Sequence, residues 1–173
     1  MDESADGAAP DPADLANQAA MDNWDRVVAD VEATAAEYEE AGWDTLAVHP
    51  GDVAVLAGDE GRGPGLDIVV PDPEFEDLVA VFADGSDVDE TTVFRASEGP
   101  VVYLVIALEH AGGTAVLVPA YYRTGDPAVE PAFRRADAGA EFELHLRTLT
   151  GDAVVVGHDD HDLFAPPAED DEA

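Results

Sequence analysis

Apolar residues recur along the first quarter of the chain with the period of a helix. Met21, Trp24, Val28, Val31, Ala35 and Tyr38 follow one another at spacings of 3, 4, 3, 4 and 3, while Asp22, Asp25, Glu32, Glu39 and Glu40 fall mostly outside that stripe. The pattern is one apolar face on a helix. Asp11 suits the N-cap, Pro12 the first helical position and Gly42 the C-cap, which predicts a helix from Pro12 to Ala41. At 1.5 Å per residue it would run about 45 Å. A domain of this length has a radius of gyration of about 16 Å, so the helix either frays at its start or overhangs and finds a partner.

Beyond Gly42 the period changes to two and the segments shorten. Thr45–His49 and Val53–Ala57 read as strands about a Pro50-Gly51-Asp52 turn, and Leu66–Val70 as a third. Asp72 is the expected cap of a second helix, with Pro73 in its first turn and Phe75, Leu78, Val79 and Phe82 as its inner face. Thr92–Ala96 is a strand. Val101–Leu108 and Thr114–Tyr122 form a hairpin around Ala111-Gly112-Gly113, and both are apolar on both faces, as strands covered on two sides are. Pro119 lacks an amide donor and marks an edge or a bulge. A short third helix falls within Asp126–Ala138 and ends at Gly139. In Glu141–Thr150, Phe142, Leu144 and Leu146 alternate with Glu143, His145 and Arg147, the signature of a half-exposed strand. Val154–Gly157 closes a last hairpin over Gly151-Asp152.

The order is α β β β α β β β α β β. Strands joined by short turns favour a mainly antiparallel sheet and hence an α+β fold. One domain is expected over residues 11–164, between acidic tails at 1–10 and 165–173. The first helix should cover one face of the sheet, and a partner subunit is the expected cover for the second face if the other helices leave it bare.

Charge then says where such a fold works. Forty acidic residues face seven basic ones, every basic residue is an arginine, and the formal net charge is −33. Self-repulsion of this size destabilises a compact state. It is screened over about 8 Å at 0.15 M salt and about 3 Å at 1 M, so the composition points to a cytoplasm with molar salt. The chain is 46% hydrophobic and its apolar residues are patterned, which argues against a disordered acidic protein. Scattered arginines among so many acids give no footprint for nucleic acid or for an anionic membrane surface. With no cysteine, disulfides and thiolate chemistry are excluded. Met1-Asp2-Glu3-Ser4 lacks the basic and apolar regions of an export signal, and the longest apolar run, Val101–Leu108, is far short of a membrane span. A soluble cytoplasmic protein is expected.

Asp above Glu, abundant Ala and Val, and Arg in place of Lys resemble the proteins of extremely halophilic archaea. Gly42-Trp43-Asp44, His49-Pro50-Gly51-Asp52, Val70-Pro71-Asp72, Pro119-Ala120-Tyr121-Tyr122 and His158-Asp159-Asp160 resemble a small uncharacterised haloarchaeal family. The resemblance implies a habitat and no chemistry.

No stretch carries a catalytic motif. His158, Asp160 and His161, in the run His158–Asp162, have the donor types of a zinc or manganese site, and a divalent metal is the one cofactor the chain suggests. The competing reading is an acidic surface turn anchored by Leu163 and Phe164. Asp87, Asp89 and Glu98 match three positions of a calcium loop but lack its glycine. Gly58, Gly61, Gly63 and Gly65 miss both nucleotide fingerprints, and the serines lack a nucleophile-elbow context. Asp67, Asp72 and Glu109 have no lysine to complete a nuclease set. Tyr121, Tyr122, Arg123, His49 and His145 are polar-tipped residues that either line a pocket or sit at the core margin.

Two functional readings follow. The first is a non-catalytic protein acting through association with another protein or with itself. The second is a small-molecule- or metal-binding enzyme or sensor with its site near His145, Tyr121 or the His158–Asp162 run. A convergent cluster of these side chains in a concave pocket favours the second, and an exposed apolar patch without one favours the first.

Overall fold

The computed structural model describes residues 12–58, 63–83 and 88–166, with the side chains of the first helix described from Trp24 onward. The tail at 1–10, Asp11, residues 167–173 of the second tail, the side chain of Met21, Gly61 and Asp87 lie outside the described residues. The elements are α1 (Pro12–Glu40), β1 (Asp44–Ala47), β2 (Asp52–Leu56), β3 (Gly65–Val69), α2 (Asp72–Phe82), β4 (Val88–Glu98), β5 (Val101–His110), β6 (Thr114–Arg123), α3 (Val129–Asp137), β7 (Phe142–Arg147) and β8 (Ala153–His158), followed by a 3-10 turn at His161–Phe164. This is the expected order, in an α+β fold.

The strands form two sheets rather than one. The first has the order β1-β6-β5-β4 and the second β2-β3-β7-β8. β1 runs parallel to β6 and β3 parallel to β7, and the other pairings are antiparallel. Pro50-Gly51-Asp52 therefore carries the chain from one sheet to the other instead of closing a hairpin. Pro119 lies past the last residue of β6 paired with β1, Leu117, where β6 loses that neighbour. β4 is continuous from Val88 to Glu98, so the calcium-loop match is strand.

Alternation divides each central strand between two layers. Val102, Leu104, Ile106 and Leu108 of β5 face inward with Val116, Val118, Ala120 and Tyr122 of β6. They meet Leu66, Ile68, Phe142, Leu144 and Leu146 of the second sheet. The intervening residues Val101, Tyr103, Val105, Ala107 and Leu117 face α1. The layers thus run α1, first sheet, second sheet, and β5 and β6 are covered on both sides as their sequence requires. The outer face of the second sheet is mixed: Asp67, Glu143, His145 and Arg147 share it with Val155, which is 50% exposed opposite His145.

α1 packs through Trp24, Val27, Val31, Ala35 and Tyr38. Val27 takes the place expected of Val28, a shift of one position that keeps the spacing of 3 and 4. The helix ends in a Schellman motif: Trp43 N–H donates to Tyr38 O and Gly42 N–H to Glu39 O. Gly42 has φ of 99°, a conformation a Cβ disfavours, and the Trp43 and Tyr38 rings meet edge-on at 5.8 Å. In α2 the cap is Pro71 rather than Asp72, and no side chain caps it. Leu78 is buried with Phe75, Val81 and Phe82 against the same core, while Val79, expected there, is 46% exposed. Phe133 of α3 stacks on Phe142, which stacks on Phe164 of the closing turn.

Candidate functional site

The β5–β6 hairpin sets the site. Its register places Tyr103 opposite Tyr121 and, one rung on, Val101 opposite Arg123. These residues alternate onto the face that α1 covers. Trp24 reaches that face from the helix and meets the Tyr121 ring edge-on, with centroids 5.4 Å apart and planes at 70°. Pro50 and Gly51, at the crossing between the sheets, form the opposite wall with Val53. The result is a cleft of about 550 Å³ with Trp24, Tyr103 and Tyr121 inside and Asp25, Asp52 and Arg123 in its charged lining.

Two contacts hold its walls. At the far end of α1, the Tyr38 hydroxyl donates to Glu109 Oε2 at 2.8 Å. Burial and this carboxylate push the Tyr38 pKa up to about 12, so the hydroxyl stays a donor. At the crossing segment, His49 N–H donates to Glu74 Oε1 at 2.7 Å and the His49 imidazole Nδ1 lies 2.6 Å from Oε2 of the same carboxylate. One glutamate of α2 thereby pins the turn that forms the cleft wall.

Inside the cleft, polar groups are left available. Tyr103 is only 7% exposed. Its hydroxyl, that of Tyr121 and the guanidinium of Arg123 make no hydrogen bond or ion pair with another described residue. Aromatic faces beside unpaired polar tips are what small-ligand sites are made of.

The other expected residues lie elsewhere. His145 is on the outer face of the second sheet, its Nε2 2.9 Å from Glu143 Oε1. Its cross-strand neighbour Asp67 is buried and accepts from Arg147 Nε at 2.7 Å. The hydrogen bond to the Asp67 carboxylate raises the Arg147 pKa, so the guanidinium stays charged. Gly65 lets β3 come this close to β7, since an added Cβ would lie 1.8 Å from the Glu143 carbonyl oxygen. Tyr122 is core, and its hydroxyl donates to Phe164 O at 2.7 Å.

The His158–Asp162 run is split. His158 turns inward: its Nε2 lies 2.9 Å from Thr91 Oγ1, and its ring is 5.1 Å from Phe164. Its Nδ1 is buried without a partner among the described residues, and burial lowers its pKa. His161 lies at the core margin near the Phe133 ring, its side chain 16% exposed, with Nε2 2.5 Å from Asp137 Oδ1 and 3.5 Å from Asp162 Oδ1. The structure thus gathers His161 with Asp137 and Asp162, and neither His158 nor Asp160 joins that group. Both carboxylates are largely exposed, at 71% and 94%, and the arrangement is a histidine held between two surface acids. Leu163 and Phe164 anchor the turn to the core.

Tyr121 and Arg123 are the sequence candidates that reach the cleft. Trp24 and Tyr103 were hidden in the apolar stripe of α1 and the apolar run of β5. The alternation of Tyr103 with Val101 and Val105, on the face opposite Val102 and Leu104, is the signal that places it under the helix.

A family model described as a family of unknown function (DUF7529) matches residues 12–166. No curated protein and no solved structure matches the chain. Among the described residues, no helix is long and apolar enough to cross a membrane.

Proposed function

The chain belongs to this family of unknown function, and we propose that it binds a small organic ligand in the cleft between α1 and the first sheet. The observation that carries this reading is the convergence of Trp24, Tyr103 and Tyr121 in one concave space beside Arg123, which has no ion-pair partner among the described residues. The role is read as binding rather than chemistry, because the lining offers aromatic faces and fixed charges. A net charge of −33 supports a working environment of molar salt inside the cell.

A second reading, association with another copy or another protein, draws on one specific feature. Phe94 lies on β4, the edge strand of the first sheet, and is 52% exposed beside Val27 and Val105 on the flank of α1. Sedimentation in molar KCl tests it: a dimer lost in Phe94→Asp supports association through this edge.

The ligand reading is tested by saturation-transfer NMR with a library of small organic fragments in molar KCl, on the native chain and on Tyr121→Ala. Fragments that bind the native chain and not the variant are the expected result. A library that yields no hit sensitive to Tyr121 would overturn it.

A further inference from the structure

The charges around the aromatic cleft narrow what it takes. We propose that the cleft binds a short zwitterion: a methylated ammonium group seated on Trp24, Tyr103 and Tyr121, with the carboxylate of the same molecule on Arg123. This inference rests on the ligand-binding reading above and specifies its chemical class.

Trp24 and Tyr121 stand at 70° to one another, so they form a corner rather than a stack. Tyr103 is the cross-strand neighbour of Tyr121 and lines the same cleft. Aromatic walls of this kind attract a cation through their π faces, and they suit a quaternary ammonium, which brings methyl surface and no N–H to satisfy. Val53 and Val101 extend the apolar lining. A primary ammonium placed there would lose water without gaining acceptors in the aromatic corner.

The charged lining then decides between a cation and a zwitterion. Asp25 and Asp52, within a strongly acidic molecule, favour positive charge at the mouth and disfavour a simple anion. Arg123 lies on the same face of β6 as Tyr121, two residues further on, about 7 Å along the strand. It has no ion-pair partner among the described residues. A pure cation in the aromatic corner would find Asp25 and Asp52 in the lining but would leave the guanidinium without a counter-charge. A ligand with a carboxylate a few bonds from its ammonium pairs with it instead.

The test is isothermal calorimetry in molar KCl with four probes: trimethylglycine, glycine, choline and 3,3-dimethylbutanoate. The last is the uncharged-carbon isostere of trimethylglycine. Trimethylglycine should bind at least about tenfold more tightly than either glycine or the isostere, the difference expected of a desolvated cation–π contact. Arg123→Gln should weaken trimethylglycine about tenfold and leave choline unchanged or slightly tighter. The variant alters an exposed side chain without a partner among the described residues, and unchanged circular dichroism confirms that it folds. Equal binding of the isostere overturns the cation, and an unchanged trimethylglycine affinity in Arg123→Gln overturns the carboxylate contact. If none of the probes binds while Tyr121-sensitive fragments do, the zwitterion is wrong and the cleft remains a ligand site. If neither binds, both readings fail.

Discussion

The two outer faces of the sandwich each carry an arginine, Arg123 on β6 and Arg147 on β7, yet they use it differently. On the first sheet, Tyr103, Tyr121 and Arg123 lie toward α1, and the helix covers the lower rungs while leaving a cleft over the upper ones. On the second sheet, Asp67, Glu143, His145 and Arg147 occupy the outer face and pair with one another. Polar groups that satisfy each other stabilise a surface and leave nothing for a ligand. Arg147 has a buried acid within hydrogen-bond reach, whereas Arg123 has none among the described residues. The same residue type is a structural part on one face and an available binding group on the other.

Withdrawing salt is the largest way to strain this picture, because it acts on both faces at once. A KCl series followed by circular dichroism should show cooperative structure lost below a few tenths molar, on the order of the range in which surface carboxylates cease to be screened. Full stability in dilute buffer would contradict the reading of the charge. The Asp67–Arg147 pair, short and largely removed from water, should lose less of its coupling in molar salt than exposed pairs such as Arg134–Glu130.

Arg147→Ala comes next. It leaves the buried Asp67 carboxylate without its partner and should cost about 3 kcal/mol, measured by chemical denaturation in molar KCl. Arg123→Gln, measured the same way, should change stability by less than about 0.5 kcal/mol. Similar costs for the two would erase the contrast between the faces.

Trp24→Ala should cost about 2 kcal/mol, below the roughly 3–5 kcal/mol of a fully buried tryptophan, because one side of this ring faces the cleft. Loss of binding to the Tyr121-sensitive fragments should accompany it. A cost typical of a core tryptophan, with binding intact, would make Trp24 a packing residue only.

The smallest effect concerns the interior between the faces. Burial lowers the His158 pKa, so the unfolded chain takes up a proton there before the folded one does. The stability tied to neutral His158 is fully present above the ordinary imidazole value of about 6.5 and is lost as pH falls through the lower folded value. Denaturation midpoints at pH 7.5 and 5.5 should therefore differ less in His158→Asn than in the native chain. An identical difference would remove His158 from the acid response.

Much of this fold is legible in local patterns. The period of α1, the alternation of Phe142 to Arg147 and the doubly apolar β5 and β6 each reflect the layers that a strand or helix touches. The division into two sheets is not legible in that way. Pro50-Gly51-Asp52 specifies a change of direction, but the partner of β1 is β6, far along the chain, and the turn carries no information about it. The shift from Val28 to Val27 arises because these adjacent valines share the margin of a stripe, and docking selects between them, while in α2 Val81 packs on the core beside Leu78 and Val79 is turned out. The cleft was visible only at Tyr121 and Arg123. Trp24 and Tyr103 look like core residues in sequence, and only the register of β5 on β6 beneath α1 brings them to one place. For the His158–Asp162 run, composition suggested ligands, but the chain sends His158 to Thr91 in the interior and His161 to Asp137 and Asp162 at the core margin, so the two imidazoles do not converge.

The measurement that bears most directly on the central claim is a two-dimensional ¹⁵N–¹H titration of the labelled protein with trimethylglycine in molar KCl. The two tryptophans give separate indole signals, with Trp43, at the end of α1, as the internal reference for Trp24. The account predicts saturable shifts of the Trp24 indole and of the Tyr103, Tyr121 and Arg123 amides, with Trp43, Asp67 and His145 unmoved. Shifts gathered on Asp67 and His145, or none at Trp24 for this or any Tyr121-sensitive fragment, would contradict it.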